Sequence, residues 1–115
     1  MDESMIPQEP RKIKFKAWNT TTRLLMRLHS IDCHKGELIK PNHLLLQFCG
    51  LTDKEGEEIY DMDVLLIYSD MYVVNWDHGL SGWVYAPLKQ LDQRKPFLQE
   101  DAIKMKRFCS YLEIQ

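Results

Sequence analysis

Lys12, Lys14 and Lys16 recur at every second position, and Arg23 and Arg27 follow soon after. In an extended strand such lysines share one face, with a two-residue rise of about 6.6–6.8 Å. That rise is close to the spacing of successive phosphates along one nucleic-acid strand. These five residues are therefore the candidates for nucleic-acid contact. The same lysines would equally keep an edge strand soluble and discourage edge pairing. A second set is aromatic. Trp83, Tyr85, Tyr60 and Tyr72 lie in or beside strand-like segments. Rings so placed hold a cation, a peptide or a base when a face is left open, and these four are the candidates for protein binding. Trp76 alternates in phase with Tyr72 and Val74, and is expected in the core.

Carboxylates form a third set. If their segment is extended, Asp61 and Asp63 share a face, with Glu57 and Asp53 nearby. Paired carboxylates shift each other's pKa or bind a divalent ion, although acids in a surface turn are ordinarily only solvated. Metal-ligand types occur at His29, Cys33, His34, His43 and Cys49, of which His29, Cys33 and His43 would be the ligand set. Their spacing matches no tight finger such as C-x-x-C. Cys49 has no basic neighbour in sequence to activate its thiol. No Ser-His-Asp signature, phosphate loop or H-E-x-x-H run is present. The expectation is a protein with no catalytic residues, no metal and no cofactor.

The elements that must position these groups are short strands. From Lys12 to Trp18 the pattern alternates, with Ile13, Phe15 and Ala17 on one face and the lysines and Trp18 on the other. Asn19–Thr22 is a turn signal, and Arg23 to Ile31 reads as a second strand returning as a hairpin. Cys33 to Asn42 is a loop around a short extended piece at Glu37–Ile39. Leu44–Leu51 is a third strand, followed by a turn through Gly56. Ile59 to Tyr68, Tyr72 to Asp77 and Trp83 to Tyr85 complete the strand pattern. The C-terminal third fits either period, with one helical turn at Gln99–Lys104 before a final strand as one reading. Turn chemistry about every ten residues, without a βαβ rhythm, predicts a mainly β protein with little helix: a small antiparallel barrel or a sandwich, carrying an N-terminal β-hairpin extension.

The chain has 115 residues, 44% hydrophobic and 28% charged, an ordinary globular mix for one domain. Met1–Pro10 is polar and acidic and reads as a flexible leader, leaving residues 11–115 as a single domain. A net charge of −2 excludes a strongly basic nucleic-acid binder but leaves room for a basic patch. Six basic residues and no acid lie between Arg11 and Arg27, whereas Asp53 to Asp77 holds eight acids and one lysine. Such segments either face each other or solvate the surface. Three widely spaced cysteines form no disulfide framework, and without an export signal the expected location is a reducing cytoplasm.

Three stretches resemble the YopX-like phage and prophage proteins. Ile13-Lys14-Phe15-Lys16-Ala17-Trp18 is similar to the family's opening I-K-F-R-A-W. Leu46 to Tyr60, LQFCGLTDKEGEEIY, resembles the family's central motif, and Val73-Val74-Asn75-Trp76-Asp77 is similar to its V-x-W-D strand. After the tyrosine the family usually reads E-G-D-I-V, where this chain has Asp61-Met62-Asp63-Val64-Leu65. The usual glycine of that turn is thus Met62, a residue that disfavours positive φ. The C-terminus also lacks the family's usual G-N-I-Y-E-N-P ending. The resemblance implies a mostly β protein with an SH3-like barrel in its C-terminal part, origin in a phage or other mobile element, and no known reaction. The expected function is that of a non-enzymatic accessory protein that binds another protein of host or phage. The alternative is a nucleic-acid-binding module using the basic hairpin. No membrane association is expected, and edge strands leave self-association open.

Overall fold

The computed structural model describes residues 7–115, and the first six residues of the expected leader lie outside them. The described residues form eleven strands: β1 (Phe15–Asn19), β2 (Leu24–Arg27), β3 (Asp32–His34), β4 (Glu37–Ile39), β5 (His43–Thr52), β6 (Glu58–Tyr60), β7 (Asp63–Ile67), β8 (Asp70–Asp77), β9 (Gly82–Pro87), β10 (Lys95–Pro96) and β11 (Lys106–Ser110). One helical turn, α1 (Gln99–Ala102), precedes β11, and a 3-10 turn (Tyr111–Glu113) follows it. The sheet orders are β2-β1-β5-β6 and β10-β9-β8-β7-β11, with β3-β4 a separate hairpin. Every pairing is antiparallel. The five-stranded sheet curls into a half-barrel, compatible with the SH3-like expectation.

The first hairpin turns at Asn19, whose Oδ1 accepts the amides of Thr21 and Thr22 at 2.9 Å each. This is the local side-chain bonding that makes Asn a turn residue. β5 then pairs with β1 as far as Gln47, and its register to β6 slips between Phe48 and Thr52. Gly50 lies inside that slip at φ +93. The bend carries Cys49 into the main core with Ile59, Leu65, Val74, Phe97, Ala102 and Met105, and brings Leu51 against it. A second cluster joins Trp18, Leu46 and Leu112, with Leu25 and Met62 against it. The 3-10 turn thereby docks on the first hairpin.

Several expectations need correction. β1 begins at Phe15 rather than Lys12, and β2 ends at Arg27 rather than Ile31. Both faces of the hairpin are partly buried: Ala17, on the Ile13 face, is fully buried as expected, but the lysine face is not simply polar. Ile13 is 62% exposed, whereas Trp18 is 4% exposed, because Leu46 and Leu112 reach over it. Trp76 is only half-buried, facing Trp83 at the rim of the half-barrel. Asp61 and Asp63 do not share an extended face, since β6 stops at Tyr60 and Met62 turns at φ +71 between them. The turn that glycine usually makes is thus kept by a methionine. Met62 N–H donates to the Val74 carbonyl, and Met62 C=O accepts from Tyr111 N–H, both at 2.7 Å.

Candidate functional site

The hairpin ladder runs from the Asn19–Leu24 pair to the Lys16–Arg27 pair. Beyond it residues 28–31 form no strand, and a groove of about 620 Å³ opens between them and residues 13–16. Glu57, Glu58 and Tyr60, from the turn into β6, line its opposite wall. The sequence candidates Lys14, Lys16, Arg27 and Tyr60 therefore meet in one place.

Their arrangement follows from the register. Lys16, Arg27 and Leu46 are partners across three strands and share a face, as do Lys14 and Trp18. The neighbouring rings on that face decide what the cations do. Lys14 Nζ donates to Glu58 Oε2 at 2.6 Å and lies 5.8 Å from the Phe48 ring centre. Lys16 Nζ lies 4.5 Å over the Tyr60 ring. Arg23 sits 5.5 Å over Trp18 and donates to the Leu112 carbonyl. Burial, aided by the nearby Arg107, holds the Lys16 ammonium below its ordinary pKa, with Asp63 and Glu57 partly offsetting this. Lys14 in turn keeps the Glu58 carboxyl below its ordinary value. The three lysines have different surroundings. Lys12 precedes the strand and is exposed, Lys14 and Lys16 are turned onto rings and acids, and Arg23 lies with Trp18 and Leu112.

The aromatic candidates separate into different places. Tyr60 is buried against Phe48, 5.6 Å between ring centres, and burial pushes its hydroxyl up to about 12. Tyr72 and Tyr85 meet edge to face at 5.8 Å, Tyr85 meets Phe97 at 5.7 Å, and the Tyr85 hydroxyl donates to Asp101. These contacts join the aromatic ladder to the main core. Trp83 instead meets Trp76 and lines a smaller pocket with Phe15, Leu45 and Asp61.

The acidic turn is a structural latch. Asp53 Oδ1 accepts the Glu55 and Glu57 amides, and its Oδ2 accepts Arg107 N–H at 2.7 Å. Burial alone would raise this carboxyl, but those three amides and Lys106 hold it below its ordinary value. Asp63, fully buried, accepts Tyr60 N–H and a bond from Arg107 Nη2 at 3.2 Å. Burial raises its carboxyl, and Arg107 only partly offsets this. The four clustered acids thus serve different partners. The Cys49 thiol, buried, is pushed up to about 11, the wrong direction for a nucleophile. Cys33 is exposed on β3, and His43 bonds the Pro41 carbonyl at the start of β5. Among the described residues no three His, Cys, Asp or Glu side chains converge as a metal ion requires. No helix among them is long and apolar enough to cross a membrane.

Ser30 and Ile31 in the groove, and Phe15 and His78 at the pocket, carry no binding signal in the sequence, whereas His29 and Asp61 stand out there only as candidate metal ligands. Only the early end of β2 gives residues 28–31 their place, and periodicity does not show it.

A family model described as YopX protein matches residues 2–109. The chain belongs to the YopX family. No curated protein matches it closely enough to indicate a relationship. Among solved structures, protein EF1440 from Enterococcus faecalis is similar to this YopX-family chain, with a TM-score of 0.61 and 18% identity. The match covers 90% of this chain and 96% of that one, a likeness of fold.

Proposed function

We propose that this YopX-family chain is a non-enzymatic accessory protein, encoded by a phage or other mobile element, that binds an extended segment of another protein in the hairpin groove. The observation that carries this reading is that Lys14 and Lys16, at the groove, are already engaged, by Glu58 and by the Tyr60 ring. This leaves the groove with both signs of charge, Arg27 and His29 against Glu57 and Glu58, beside the apolar side chains of Ile13, Leu28 and Ile31. A polyanion needs a row of free cations, whereas a protein segment with acidic and apolar residues matches mixed walls. Three free cysteines support a reducing, cytoplasmic setting for that encounter.

The test is selection of a random peptide library on the immobilised full chain. Enrichment of peptides pairing an acid with apolar residues, lost on Arg27→Glu, is the expected result. Identical pools on wild type and Arg27→Glu would overturn it. Micromolar retention of an oligonucleotide at ~0.1 M salt, falling steeply as salt rises, would instead establish the nucleic-acid alternative.

A further inference from the structure

On the side of β1 away from Lys14 and Lys16, Trp76 and Trp83 are register partners on β8 and β9 and meet edge to face, 5.4 Å between centroids. With Phe15 and Leu45 they wall a pocket of about 230 Å³, and Asp61 is the carboxylate in that wall. Its Oδ1 accepts the Trp76 amide at 3.3 Å. The other carboxylates of this region have cations: Lys106 for Asp53, Lys14 for Glu58, Arg107 for Asp63 and Arg94 for Asp77. Among the described residues no lysine or arginine forms an ion pair with Asp61. Burial raises its carboxyl above the ordinary value, and the amides of Trp76 and Met62, with His78 in the same pocket wall, only partly offset this. Arg11 lines the same pocket and is exposed, so a guanidinium already stands at its rim.

A half-buried carboxylate that forms no ion pair with lysine or arginine, beside two indole rings, is complementary to a cation. The volume suits one long side chain rather than a length of backbone. We infer that this pocket binds a single arginine or lysine side chain of a partner protein. Asp61 is its ion partner, Trp76 and Trp83 form the aromatic walls, and Arg11 competes from within the chain. The inference does not rest on the groove, with which the pocket shares only Phe15.

The experiment follows the three indole N–H resonances of the full chain during titration with N-acetyl-arginine amide. N-acetyl-citrulline amide serves as the uncharged isostere. Saturable shifts of the Trp76 and Trp83 resonances without Trp18, and binding of citrulline weaker by about tenfold or more, are expected. Asp61→Asn retains an oxygen for the Trp76 amide and should weaken arginine binding to a similar degree. Arg11→Ala should tighten it. Absence of saturable shifts in both wild type and Arg11→Ala, citrulline binding as tightly as arginine, or unchanged affinity in a folded Asp61→Asn chain would overturn the inference. Should Asp61→Asn not fold, the comparison of the two probes on the wild type still decides.

Discussion

Asp53, Asp61 and Asp63 lie within eleven residues of one another, yet their environments push them in opposite directions. Asp53 has three amides and its carboxyl lies below its ordinary 3.8; Asp61 and Asp63 lie above that value because burial outweighs their partners. The sign for stability follows. Between the raised values and 3.8 the folded chain binds more protons than the unfolded one, so Asp61 and Asp63 restore stability as pH falls through that window. Asp53 and Glu58 act in reverse, and their contribution is lost as pH falls through their lowered folded values. Stability in urea should therefore hold or rise from neutrality to about pH 4 and fall below it. A steady decline from pH 7 downward would contradict these assignments. The lysines give a second residue-scale expectation. Lys16→Ala should cost about 0.5–1 kcal/mol through its lost contact with Tyr60, and Lys12→Ala nothing measurable in the same urea titrations.

At the scale of elements, backbone geometry at two positions holds the architecture. Gly50 bends β5 from the first sheet toward the main core, and a Cβ there would meet open space. Gly50→Ala should nonetheless cost about 1–3 kcal/mol, because the penalty is conformational rather than steric contact with neighbours. Met62 takes a positive φ because β8 and the 3-10 turn both bond its backbone. Met62→Gly and Met62→Ala lose the same packing on the Trp18 cluster, but only alanine keeps the strain. The glycine variant should be the more stable by about 1 kcal/mol, read from urea midpoints. The strands themselves were legible where turn chemistry bounds them, as at Glu37–Ile39 between Gly36 and Pro41, whereas the C-terminal segment fitted helix and strand alike and its strand is fixed by pairing with β7. The ends of the first hairpin were not. Alternation continues through Lys12 and Leu28 in the sequence, but pairing stops where the neighbouring strand stops, and that is a tertiary fact.

For the whole molecule, the hairpin's fit to the C-terminal turn explains why the polar face was misread. Trp18 sits among lysines in the sequence and is buried because Leu46 and, from far along the chain, Leu112 cover it. Trp18→Ala should cost about 3–5 kcal/mol, whereas Trp76→Ala, at a half-buried rim, should remain folded with clearly less loss, both judged by thermal melts. The basic hairpin and the acidic middle were legible as opposed segments, and Lys14–Glu58 joins them. Which cations stay free was not legible, since it depends on the rings that register places beneath them. The groove is the product of that long-range fit, and a protein segment is its proposed occupant. An amide-shift map of the full chain titrated with a library-selected peptide tests it most directly. Shifts concentrated at residues 13–16, 27–31 and 56–60, with none from an oligonucleotide at ~0.1 M salt, are expected. Peptide shifts confined elsewhere, or oligonucleotide shifts at those same residues, would contradict it.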